Sequence, residues 1–173
     1  MNEVIKTIKE RRSIRAYKKE QITDAQLDAI LEAGAYAASG MGTQATEIVS
    51  VQDPETIALM SGLNAKVMGM DIDPFYGAPT VVVVFANADE TATPVEDGSL
   101  VIGNMMLAAF SEGVDSCWVH RAKEVFETPE GKALKEKWGI GEGFVGIGNC
   151  ILGYREGNLP SAPERKPGRI VKA

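Results

Sequence analysis

Apolar residues recur along this chain with two different periods, and the contrast predicts most of its elements. Val4, Ile5 and Ile8 share one face at helical spacing, which predicts a first helix over about residues 2–11. Thr23 and Gln26 read as a capping box opening a second helix whose stripe is Leu27, Ile30 and Leu31. Ile22 and Leu27 are placed as a hydrophobic staple across that cap. Asp53-Pro54 opens a third helix, with proline at its first position, that carries Ile57, Met60, Leu63 and Val67 and fades near Gly69. The stretch from Asp97 to Glu112 is apolar nearly all round and predicts the most buried helix, stopped by Gly113. Thr128-Pro129 caps another that reaches Trp138.

Strands alternate with these helices. "EIVSV" (47–51), "SCWVH" (116–120) and "FVGIGNCILGYR" (144–155) read as strands. "TVVVVF" (80–85) is an unbroken β-branched run, as expected of a central strand covered on both faces. The order of elements, opening with two helices, predicts an α+β fold, or a mixed sheet with helices packed on it. The whole chain, 1–173, reads as one domain. Pro160, Pro163 and Pro167 mark residues 155–173 as an extended tail, and "GRIVK" at its end reads as one more strand. A solvent-exposed "RIVK" strand invites aggregation. The simplest remedy is that it adds to the sheet of a second subunit, making a homodimer.

Charge sharpens the picture. The net charge is −6, which argues against nucleic acid as a partner. Yet Lys6, Lys9, Arg11, Arg12, Arg15, Lys18 and Lys19 crowd one segment, and Arg155, Arg165, Lys166, Arg169 and Lys172 another. Together they are twelve of the eighteen basic residues, so the middle of the chain is strongly acidic. Only Cys117 and Cys150 are present, which fits a reduced, cytoplasmic setting rather than a disulfide scaffold. No signal peptide and no membrane-spanning run is expected.

Several chemistries are missing. There is no phosphate-binding Walker loop, no zinc spacing and no nucleophile elbow. "GIGNCI" begins like a dinucleotide fingerprint but ends in Ile151 and sits inside a strand, so its glycines read as close packing. Cys117 and His120, three apart on a strand, point to opposite faces, which makes a thiolate dyad difficult and favours Cys117 as a small core residue. A lone His120 cannot build a histidine metal site, so no metal is expected. That leaves "KERRSIRAYK" (9–18). Arg11, Arg12 and Arg15 could simply complement a helix C-terminus. Alternatively, their forked donors with the hydroxyl of Ser13 suit a phosphate, which Arg165 and Lys166 could approach from another side.

"ERRSIRAY", the small-residue segment "AASGMGTQ", "GVDSCWVH", "ILGY" and the closing P-x-x-R-K-P occur in an order that resembles the nitroreductase family, from about Val4 to Val171. That resemblance implies homodimeric flavoproteins carrying tightly bound FMN, with NADH or NADPH as hydride donor, a small-molecule electron acceptor such as a nitroaromatic or quinone, and a tail exchanged between protomers. It implies ping-pong transfer on the flavin, so no catalytic side chain is expected. Carried over, it assigns Arg11, Arg12, Ser13 and Arg15 to the phosphate and flavin edge, and Ser39 and Gly40 to the partner subunit's flavin. Asn64 falls near the isoalloxazine, the backbone of His120 and Arg121 against the ring, and Arg165 and Lys166 at the phosphate. Where the family often reads Pro-Ser-Ser, Asn and Gln-Pro-Trp, this chain has Ala38, Gly42 and Gln44-Ala45-Thr46. Phe75 and Tyr76, in an irregular loop, are expected on the substrate side. A flavin-delivery protein and a phosphate-binding interaction module stay open beside the enzyme reading.

Overall fold

The continuous valine run is the key to the architecture. In the computed structural model, which describes residues 1–172, Thr80–Asn87 forms β2, and Val81, Val82, Val83 and Val84 are wholly buried. Val81, Val83 and Phe85 enter one apolar cluster, and Val82 and Val84 the other. Period-two alternation therefore puts apolar groups on both faces of one strand. Each such side chain contributes on the order of 1.5–3 kcal/mol by leaving water.

The other strands are β1 (Thr46–Val51), β3 (Asp115–Val119) and β4 (Phe144–Gly153). They form a four-stranded, wholly antiparallel sheet in the order β1-β2-β4-β3. The helices are α1 (Glu3–Glu10), α2 (Asp24–Ala35), α3 (Pro54–Met68), α4 (Pro94–Ser111), α5 (Ala122–Glu127) and α6 (Pro129–Lys137). Helices α2 and α4 cover one face through Leu27, Ile30, Ile102 and Met105. Helices α3, α5 and α6 cover the other through Met60, Leu63, Phe126 and Leu134. The result is the α+β fold the sequence predicts.

Local signals explain most boundaries. Thr23 Oγ1 accepts from Gln26 N at 3.2 Å while Gln26 Oε1 accepts from Thr23 N at 3.1 Å, the reciprocal cap expected. Gln26 Nε2 also donates to the Glu112 carbonyl at 2.9 Å, tying the start of α2 to the end of α4. On β4, register on β2 slips between Val84 and Phe85, which pair with Gly148 and Gly146. The skipped Ile147 packs on α4, where a Cβ at Gly98 would lie 2.6 Å from Ile147 Cγ1. A β-bulge thus decides which residue of α4 must be glycine.

One boundary is corrected, and three further features stand out. Helix α4 begins at Pro94 rather than Asp97, because Thr93-Pro94 is a proline-at-N1 start. Helix α5 was not expected; only six residues long, it shows too little periodicity to read. Within the single chain, among the described residues, "GRIVK" forms no strand. The apolar face of α1 is not buried: Val4, Ile5 and Ile8 are 64%, 51% and 53% exposed. Among the described residues no helix is long and apolar enough to cross a membrane.

Candidate functional site

The cationic segment follows the end of α1 and lies against β3. Ser13 forms an isolated parallel bridge with Ser116, and Ile14 N donates to the Ser116 carbonyl at 3.1 Å. Ile14 and Tyr17 point into the core and fix the segment's orientation. The three arginines then separate. Arg12 folds back, its Nη1 donating to the carbonyls of Lys9 (2.8 Å) and Arg11 (2.7 Å), so part of this guanidinium does cap the helix end. Arg15 is exposed. Arg11 is half-buried, and its Nη1 is inaccessible yet has no partner among the described residues; the same holds for Arg12 Nε and Ser116 Oγ. Guanidinium nitrogens can only donate. Two such donors, buried and unsatisfied beside the half-buried Ser13, are suited to an anion.

A second group sits past the other end of β3. Asn64 on α3 is wholly buried and donates Nδ2 to the His120 carbonyl at 2.8 Å, while its Oδ1 has no partner among the described residues. His120 is exposed, and Arg121, at φ 74°, caps α5 from the left-handed region. A non-glycine residue there costs on the order of 1–2 kcal/mol. The Asn64 contact holds the preceding carbonyl and so fixes this corner. Three strand residues separate Ser116 from His120, and the four steps span about 13 Å at strand rise. β3 therefore joins an anion-seeking patch to a pre-set backbone corner.

Ser39 and Gly40 belong to a third group. Gly40 N donates to Asp97 Oδ1 at 2.9 Å, and the same carboxylate accepts from Thr93 Oγ1 (3.0 Å) and Thr91 Oγ1 (2.8 Å). The Gly40 amide, first, and then the two hydroxyls hold the Asp97 carboxyl below the usual carboxylate range, against the opposing effect of burial. A Cβ at Gly40 would lie 2.3 Å from Thr93 Oγ1, so only glycine fits. The turn beyond runs through positive φ at Met41 (54°) and Gly42 (67°). Gly42, where the family often has asparagine, thus suits its backbone. Met41 at the tip is fully exposed.

The remaining predicted residues divide. Arg165 and Lys166 lie on the exposed tail, in a shallow concavity with Gly168, Arg169 and Ile170, and the single chain does not bring them to Arg11. Phe75 is 1% exposed and packs in the core, so its expected substrate contact is corrected: it is structural. Tyr76, half-buried at φ 54°, stays at the surface beside it. Cys117 pairs with Ile151 and Cys150 with Trp118 across β3 and β4, so the two thiols face opposite sides of the sheet. Burial, and secondarily Cys117, push the Cys150 thiol up to about 12. Cavities of about 670 Å3 lie between α5, α6 and β4 and along α3, but share no residue with the predicted set.

Sequence reasoning missed two acids. Asp97 reads only as a helix-start residue; what marks it is its place shortly after Thr91 and Thr93. Asp115 reads only as the residue before a strand, though a 3% exposed carboxylate there must find a cation.

The fold is that of a three-layer α+β protein with β3 at one edge of its sheet. The model of the family described as "Nitroreductase family" matches residues 8–154, and the chain belongs to that family. A protein of Archaeoglobus fulgidus, provisionally named NADH dehydrogenase/NAD(P)H nitroreductase, is 34% identical over 159 residues, covering 89% of this chain and 86% of its own. The crystal structure of a nitroreductase with bound FMN from Bacteroides fragilis has TM-score 0.91 at 34% identity, with both chains covered completely. Another nitroreductase with bound FMN, from Desulfitobacterium hafniense, has TM-score 0.85 at 27% identity, over 99% of this chain and 100% of the other.

Proposed function

We propose that this chain is an FMN-dependent NAD(P)H oxidoreductase of nitroreductase type. It takes hydride from NADH or NADPH and then reduces a small electron acceptor, a nitroaromatic, quinone or similar, in ping-pong order. The observation that carries the reading is the pair of buried, unpartnered nitrogens, Arg11 Nη1 and Arg12 Nε, beside Ser13. They fit the phosphate of FMN, joined by Arg15, Arg165 and Lys166.

Bound FMN supplies the redox chemistry: it accepts a hydride and passes electrons on. The chain's own residues bind and orient. The unpartnered Asn64 Oδ1 is an acceptor for a ring N–H, and its Nδ2 keeps the His120–Arg121 backbone in place. Backbone N–H groups of His120 and Arg121 would serve as donors to the ring and favour negative charge there. Tyr76 is the substrate-side residue.

The working unit in this reading is a homodimer in which the whole chain, 1–173, acts as one flavin-binding domain. The exposed stripe of Val4, Ile5 and Ile8, with Leu100 on α4 at 50% exposure, supports a subunit contact. In it, Ser39 and Gly40 reach the partner subunit's flavin, and the tail from 155 onward wraps the partner. Two unpaired buried cysteines support a reducing, cytoplasmic setting.

The purified protein is expected to be yellow and to release FMN on denaturation, identified by mass spectrometry. Charge-assisted bonds contribute roughly 1.5–3 kcal/mol each, so Arg11→Ala with Arg15→Ala weakens FMN binding by about tenfold or more. Unchanged FMN occupancy in that double variant would refute the assignment. Truncation after Tyr154 is expected to give monomers in analytical ultracentrifugation; a stable truncated dimer rules out the exchanged tail.

A further inference from the structure

The two cationic segments lie at opposite ends of the sequence, yet both are fastened to the first two residues of β3. Ser116 holds the N-terminal segment through its carbonyl and the bridge with Ser13. Asp115, beside it, holds the root of the tail. Its carboxylate, 3% exposed, accepts from Arg155 N at 3.0 Å and from Arg155 Nη1 at 3.0 Å to each oxygen. The segments also pair with each other there. Tyr17 forms an antiparallel bridge with Arg155, Lys18 N donates to the Tyr154 carbonyl at 2.9 Å, and Glu156 N donates to the Ala16 carbonyl at 2.9 Å.

Two consequences follow from charge. Arg155 is the first cation of the tail, and Asp115 takes its Nη1 and balances its charge. Equally, a carboxylate buried next to Ser116 would repel a phosphate lying by Ser13; Arg155 cancels that charge. A partly buried pair such as this is strongly disfavoured when one member is removed and the other is left.

We propose that Asp115 is a positioning residue for the cofactor's phosphate. By locking Arg155 it fixes where the tail leaves the sheet and holds Ala16–Lys18 alongside it, so that the cations of both segments converge on one dianion. The proposal rests on the FMN reading above. It assigns Asp115 and Arg155 to recognition of the phosphate end alone, with no part in holding the ring.

Riboflavin, which lacks the phosphate, separates this role from a merely structural one. The probes are FMN and riboflavin, titrated into flavin-stripped full-length protein and followed by quenching of flavin fluorescence. Asp115→Asn keeps an acceptor for Arg155 N but turns an amide toward the guanidinium. The FMN dissociation constant is expected to rise about tenfold and that of riboflavin less than about twofold, a selective change corresponding to about 1.4 kcal/mol. Arg155→Met, which leaves the carboxylate bare, is expected to show the same selective loss, and Arg155→Lys to recover part of it. Should Asp115→Asn fail to fold, the Arg155 variants carry the test. Equal weakening of both flavins overturns the proposal, because a merely structural role predicts it; so does unchanged or tighter FMN binding. A wild-type protein that binds neither flavin overturns the FMN reading itself, and this proposal with it.

Discussion

Asn64→Leu separates stability from flavin binding at a single buried position. The substitution removes two things of opposite sign. One is the Nδ2 hydrogen bond to the His120 carbonyl at 2.8 Å, a net contribution of about 1 kcal/mol. The other is Oδ1, a buried acceptor with no partner among the described residues, whose desolvation costs roughly 1–3 kcal/mol. Leucine is similar in size, so no cavity opens at this 0% exposed site. The flavin-free protein should therefore keep its stability to within about 1 kcal/mol, or gain slightly, in urea unfolding. FMN binding should weaken by about fivefold to tenfold, because a neutral hydrogen bond to the ring is lost. A drop of about 3 kcal/mol in flavin-free stability with unchanged FMN affinity would show that Oδ1 is satisfied within the chain, and the reasoning would fail.

Other outcomes are expected. Gly98→Ala forces Ile147, whose Cγ1 would be 2.6 Å from the new Cβ, to move; urea unfolding should show a loss of about 1–3 kcal/mol, and no loss would mean that the bulge yields freely. Asp97 has a depressed folded-state pKa, so its contribution to stability is complete above the unfolded value of about 3.9 and is lost as pH falls through the folded value. The protection of the Gly40 amide from hydrogen exchange, relative to its intrinsic rate at each pH, should therefore fall only below about pH 4, and a loss of protection already at pH 6 would contradict the carboxylate clamp.

The layered fold was legible because its signals are local. The β2 valines, the Thr23–Gln26 box and the Asp53-Pro54 start each identify their element from a few neighbouring residues. The same proline rule places the start of α4 at Pro94, three residues before the apolar stretch that marks the helix in the sequence. The candidate site was legible by type more than by geometry. Arg11 and Asn64 carry unsatisfied polar atoms, whereas Phe75, read as a surface aromatic, fills the core. Loop composition does not reveal which of two adjacent aromatics turns inward. Nor could spacing reveal Asp115 or Asp97, because their partners Arg155 and Gly40 are distant in sequence.

The placement of the two thiols bears on how this protein can be handled. Cys117 and Cys150 sit on neighbouring strands but back to back through the sheet, and both are sealed from solvent. Air cannot staple the folded chain internally, and alkylating reagents have no entry to either sulfur. Purification and assay can therefore dispense with dithiothreitol, which would otherwise obscure the electron count. Any reducing equivalents taken up by the folded protein then do not go to sulfur.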